Sequence, residues 1–227
     1  MHFLPINTEP ILVVMEVFSP EDKKELTLLC VSDTHEHHQG IARVMTFAAD
    51  LKVDYVIHSG DWTNIRKEEQ EDPLKVAEAE ANIASQLSQL EALVKPVLYI
   101  PGNHDPKTLF PHLHPEPVSL SPYSKLLSGL PLELAPGLAI LGFGGSPPGY
   151  VGSEEVFAGY PYSDQESYEQ RFTQTVNCPA SPDTQYILVT HCGPANLPTS
   201  TVLTQTRATA SASQALYSLL LDSVRCM

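Results

Sequence analysis

The stretch Leu26-Thr27-Leu28-Leu29-Cys30-Val31-Ser32-Asp33-Thr34-His35 is a buried-strand pattern that stops at metal-binding side chains. The same event recurs three times along the chain. Residues 55–57 run into His58-Ser59-Gly60-Asp61, residues 97–100 into Pro101-Gly102-Asn103-His104-Asp105, and residues 186–189 into Thr190-His191-Cys192-Gly193. Open α/β sheets carry their chemistry just beyond the carboxyl ends of their strands. Four such ends side by side would bring Asp33, His35, Asp61, Asn103, His104 and His191 to one crevice. A mixed carboxylate, amide and imidazole set is the ligand type used for Zn, Mn or Fe.

The segments between these ends alternate as a parallel sheet requires. Ile41, Val44, Ala48 and Leu51 recur at helical spacing after the first strand. Asp72-Pro73 reads as an N-cap followed by proline at the first helical position. Val76, Ile83, Leu87, Leu90 and Val94 form the buried stripe of the helix after it, and Pro96 ends that helix. This β-α-β-α-β order predicts right-handed crossovers and a largely parallel core sheet. Residues 106–136 are proline-rich and aperiodic, so loops and brief turns are expected there. Residues 138–143 read as a further strand and 147–162 as a loop. Ser163 with Glu166 makes a capping box that opens a helix to about 176. A last helix is expected over 210–224, with a mobile Thr/Ala/Ser run near 199–213 before it.

Bulk composition narrows the function classes. At 227 residues and 42% apolar content the chain can build one ordinary core. Its net charge of −14 argues against a broad nucleic-acid surface, which needs clustered Lys and Arg. A phosphate ester substrate stays open, because divalent ions can supply positive charge locally. Cys30, Cys178, Cys192 and Cys226 form no CxxC pair and read as small hydrophobes in a reducing compartment. Residues 11–18 are too short and too interrupted by Glu16 for a membrane or export segment, and read as an extra strand or a packed N-terminal arm. The expected location is cytoplasmic. Gly142-Phe143-Gly144-Gly145 lacks the GxGxxG pattern, which weakens a nucleotide-binding reading.

Asp33-x-His35, Gly60-Asp61, Gly102-Asn103-His104-Asp105 and His191 together resemble the calcineurin-like metallophosphoesterase superfamily. Gly142–Ser146 and Thr190-His191-Cys192-Gly193-Pro194 are most similar to its Icc-related branch of predicted phosphoesterases. The resemblance implies an α/β fold of four layers, two central mixed sheets flanked by helices. Residues 1–25 would be the arm or extra strand and 26–227 the phosphoesterase domain. It also implies a centre for two divalent metal ions (Mn, Fe or Zn), with Asp33 and His35 on one ion, Asp61 bridging, and Asn103 and His191 on the other. Such a pair clamps phosphoryl oxygens and acidifies a bound water. His104 would face the substrate as an acid, oriented by Asp105 or Asn64, with Asp105 otherwise capping a turn.

The implied substrate is a phosphate mono- or diester, small or otherwise, with no membrane partner. The family's fifth motif, Gly-His-x-His, is expected after the strand that follows residues 210–224, and the sequence ends at Met227. The chain is therefore expected to be truncated, lacking that strand, with weak metal affinity and impaired turnover. His112-Leu113-His114 and His37-His38 are the substitutes within the sequence. The alternative is a non-catalytic binding or regulatory module that keeps the fold. Tyr150, Phe157, Tyr160 and Tyr162 would either line a substrate pocket or pack the long loop.

Overall fold

The computed structural model describes residues 11–22, 24–94, 96–114, 116, 118–151, 154–177, 183–194, 201–203 and 208–210. Its larger sheet has the order β1-β2-β3-β4-β5, with β1 Ile11–Phe18, β2 Glu25–Ser32, β3 Tyr55–His58, β4 Val97–Tyr99 and β5 Lys125–Leu126. β2, β3, β4 and β5 run parallel, and β1 pairs antiparallel with β2 at the edge. The smaller sheet has the order β10-β7-β6, with β6 Leu132–Ala135, β7 Leu138–Phe143 and β10 Gln185–Thr190. β7 and β10 are parallel.

Side-chain alternation along the strands sets the layers. Leu29, Val31, Val56, Val97 and Tyr99 point to one face of the larger sheet and pack with Ile41, Val44, Ile83 and Leu87. Those four residues belong to α1 His38–Ala48 and α2 Pro73–Leu90. Leu26, Leu28, Ile57, Leu98 and Ile100 point the other way and pack on Leu134, Leu138, Ile140 and Val189 of the smaller sheet. On the far side of that sheet Phe143 packs on Tyr168 and Phe172 of α3 Gln165–Val176. Helices, sheet, sheet and helix therefore make four layers, as the resemblance implies.

Several local readings need correction. α2 begins as expected, with Asp72 accepting from the Leu74 and Lys75 N–H groups, but it ends at Leu90, so Val94 lies in the turns beyond it. Leu51 lies past the end of α1 and is exposed. The cap of α3 is Asp164, which accepts from Ser167 N–H at 2.7 Å; Ser163 instead donates its hydroxyl to Asp164. Within 147–162, β8 Gly149–Val151 and β9 Glu154–Phe157 pair as a hairpin. Within 199–213, β11 Thr201–Leu203 and β12 Ala208–Ala210 pair likewise. Past Ala210 the expected last helix lies outside the described residues. Among the described residues no helix is long and apolar enough to cross a membrane.

Candidate metal centre

The loops after β2 and β3 interlock through backbone hydrogen bonds, Ile100 N–H ties the end of β4 to His58 O, and β10 joins them through the His191 side chain. Asp33 N–H donates to Gly60 O at 3.1 Å, and His35 N–H to Asp61 O at 3.0 Å. Asp33, His35 and Asp61 hold φ values of 57°, 45° and 57°, the left-handed region that non-glycine residues seldom enter. Such strain persists where surrounding bonds fix it and clusters at functional sites. The loops also approach too closely for side chains. A Cβ on Gly102 would sit 2.2 Å from Asp61 Oδ1, and one on Gly60 would sit 2.6 Å from Gly102 N. These contacts give the glycine before Asp61 and the glycine before Asn103 a steric reason.

Asp61 is the hinge of the arrangement, with its two oxygens facing different partners. Oδ2 lies 3.5 Å from His35 Nε2, and His35 Nε2 lies 3.8 Å from Asp33 Oδ1. One ligand atom each from Asp33, His35 and Asp61 falls within 4.8 Å of the others. Oδ1 lies 3.3 Å from His191 Nε2, which in turn lies 3.0 Å from Asn103 Oδ1. The structure thus brings Asp33, His35, Asp61, Asn103 and His191 around one carboxylate.

Hydrogen-bond roles test whether these donor sets fit a cation. His191 Nδ1 faces the Ser59 carbonyl at 2.9 Å, which requires a proton on Nδ1. Asn103 donates its amide N–H to Ala158 O at 3.3 Å, which aims Oδ1 at His191. His191 Nε2 therefore meets two acceptors, Asn103 Oδ1 and Asp61 Oδ1. His35 repeats the pattern. Its Nδ1 faces Thr63 O and Asn64 Oδ1, both at 3.1 Å, while Nε2 faces Asp33 and Asp61. Each side of Asp61 is a nest of lone pairs that only a cation, a proton or a metal ion, can reconcile. Burial pushes the His191 imidazole down, but the Asp61 carboxylate and its hydrogen bond overcome this and raise it to about 9. Burial pushes Asp61 up, and the His191 imidazole more than reverses that, holding the carboxyl well below its ordinary range. The residues present fit divalent cations.

His104 stands beside this centre. Its backbone N–H donates to Asp61 Oδ1 at 3.0 Å, and its half-buried ring lies 5.5 Å from the His35 ring. Burial lowers the His104 ring pKa, and the His35 and His191 rings add to that against the Asp61 carboxylate. Asp105 does not orient it. The fully buried Asp105 carboxylate accepts from Asp61 and Gly102 N–H on Oδ2, and from Trp62 and Thr63 N–H on Oδ1. Desolvation, and then the Asp61 carboxylate, push Asp105 up. It staples the Asp61 and Asn103 loops from beneath, a backbone role in place of the catalytic one expected. Asn64 serves His35 instead of His104, accepting at His35 Nδ1 and donating to His35 O.

The other expected residues lie elsewhere. His112 stacks on Tyr162 with ring centroids 5.5 Å apart, and His114 bonds to Glu116 O. His38 bonds to Gln89. Tyr160 and Tyr162 are buried packing groups of the loop, and Tyr150 is exposed. Sequence reasoning missed His58, Ser59 and Thr63. His58 is fully buried, stacked on Trp62, accepts from Gly60 N–H at 3.2 Å and meets Thr34 Oγ1 at 3.1 Å. Its signal was parity: at the end of β3 it shares the inward face of Val56.

A family model described as calcineurin-like phosphoesterase matches residues 26–214. One solved crystal structure superposes with a TM-score of 0.57 at 14% identity, over 86% of this chain and 79% of that one. The crystal structure of Pseudomonas putida nuclease MPE aligns over 63% of this chain and 70% of that one, at 18% identity and a TM-score of 0.31. At these identities the first likeness is one of fold alone, and the second is too loose to bear on function. No curated protein matches the chain.

Proposed function

The chain belongs to the calcineurin-like phosphoesterase family, and we propose that it hydrolyses phosphate mono- or diesters at a centre for two divalent ions. The observation that carries this reading is the pair of lone-pair nests on opposite oxygens of Asp61. Asp33, His35 and Asp61 would hold one ion, and Asp61, Asn103 and His191 the other. Carboxylate, imidazole and amide oxygen suit Mn, Fe or Zn. Bound there, the ions supply Lewis acidity toward phosphoryl oxygens and acidify a water.

The chain's own groups do the rest. Asn64 and the Thr63 carbonyl hold a proton on His35 Nδ1, which leaves Nε2 as the ligand nitrogen. The Ser59 carbonyl does the same for His191. His104, when its ring is protonated, would hydrogen-bond the leaving oxygen and hand it a proton. Asp105 fixes the distance between the Asp61 and Asn103 loops. Among the described residues, the groups just named are the candidate ligands of each ion, a small set for a catalytic centre. A small ligand set favours a second reading, a binding module that takes up metal without turnover.

Metal analysis and an aryl phosphate assay separate the two. The purified chain, supplied with Mn, is expected to bind the ion and cleave an aryl phosphodiester or monoester. Asp61→Asn should cut that rate by roughly a thousandfold, the scale of removing preorganised charge from a transition state. Metal uptake with no turnover selects the binding module. A folded chain that takes up no Mn, Fe or Zn refutes both.

A further inference from the structure

Away from the metal centre, α3 and the loop after Phe110 enclose a cleft whose larger part has a volume of about 340 Å³. A second, smaller cavity continues from it, and His112, Tyr162 and Arg171 line both. The lining is unusual for this chain. The protein carries 27 acidic and 13 basic residues, yet among the described residues no Asp or Glu lines either cavity. What lines the larger one includes Arg171, His112 and the amides Gln170 and Gln174.

Arg171 is exposed and, among the described residues, not neutralised. Its Nη1–H donates to Gln174 Oε1 at 3.3 Å. A guanidinium has five donors, and among the described residues the others meet no carboxylate. The His112 ring is fixed by stacking on Tyr162 at an interplanar angle of 15° and by the edge of Phe110. Burial, and then the Arg171 guanidinium, depress the His112 pKa, and both side chains line the same two cavities. An un-neutralised guanidinium and a stacked imidazole line one cleft, with Gln174 and with Gln170, whose amide also donates to Glu166; such groups can take a tetrahedral oxyanion.

We propose that this cleft binds a phosphate group, free or carried on a small molecule, through Arg171 and His112. The site rests on neither the metal centre nor the proposed hydrolysis. It also gives a role to His112, which the metal centre leaves unused.

The test uses the full chain, stripped with chelator so that metal-bound phosphate cannot contribute. Inorganic phosphate is titrated at constant ionic strength while the melting temperature is followed. A saturable rise is expected in the wild type and equally in Asp61→Asn. In Arg171→Gln the half-saturating concentration should increase roughly tenfold or more, the scale of one charged hydrogen-bonding partner lost. Arg171 is exposed, so this change leaves folding intact; His112→Gln serves as a second variant and should weaken binding in the same direction. Glycerol 3-phosphate binding more tightly than inorganic phosphate identifies a carried phosphate, and equal binding identifies the free ion. No saturable rise, or a rise retained in Arg171→Gln and lost in Asp61→Asn, overturns the proposal.

Discussion

The pocket on the Oδ2 side of Asp61 is made within one sheet, and the pocket on its Oδ1 side is made between two. Asp33 and His35 follow β2 and come to Asp61 through a loop of left-handed residues. Their side chains stay 31% and 21% exposed. Asn103 follows β4 of the larger sheet, while His191 follows β10 of the smaller one, and the His191 side chain is 8% exposed. The contacts differ accordingly: 3.5 and 3.8 Å on the first side, 3.3 and 3.0 Å on the second. One half of the centre is formed by local backbone geometry. The other half exists only when the two sheets are docked through Ile57, Ile100, Ile140 and Val189.

The largest structural effect should come from the group beneath both halves. Asp105→Asn replaces one acceptor oxygen by an amide donor, which then faces backbone N–H groups in a buried site. We expect a loss of about 3 kcal/mol or more in a urea unfolding measurement, with metal affinity falling on both sides together. A wild-type unfolding midpoint in this variant would remove the staple from the account.

Next in size is the contrast between the two histidines. In chelator-treated protein, His191→Ala should cost about 2 kcal/mol, because it leaves the Ser59 carbonyl without its partner and Asp61 Oδ1 with the His104 N–H alone. His35→Ala should cost less than about 1 kcal/mol, since water can reach the groups it vacates. Equal losses in the same urea series would break the distinction between a local and an inter-sheet pocket.

The smallest effect concerns α3, which backs only the smaller sheet. Asp164 accepts from Ser167 N–H and from the Ser163 hydroxyl, and these bonds hold its carboxyl below its ordinary value of 3.8. A depressed folded pKa means the stabilisation is complete above 3.8 and is lost as the pH falls through the folded value. Asp164→Ala should therefore melt slightly earlier than wild type at neutral pH. The two melting curves should converge at the acid end of a circular dichroism titration.

The strands and their termini were legible because long apolar runs that stop at Gly, Asp, Asn and His have few other readings. β2, β3, β4, β7 and β10 all fall within a residue or two of their expected places. Side-chain direction across a turn was not legible. Asp105 adjoins His104 in sequence, yet its carboxylate turns under the loops, toward a cluster of backbone N–H groups that only the fold assembles. Asn64 likewise turns to His35, 29 residues away. The β8–β9 hairpin was hidden by its Gly- and Tyr-rich composition, which reads as loop. The α3 cap slipped by one residue because Ser163 and Asp164 both have capping side chains, and the carboxylate won.

Asp105 makes the β3 and β4 loops a single plate, so the crevice cannot widen along that wall. The Ala158 carbonyl, just past β9, holds the Asn103 amide from another part of the chain. A shift of Ala158 would thus turn the Asn103 amide and take Oδ1 off its aim at His191.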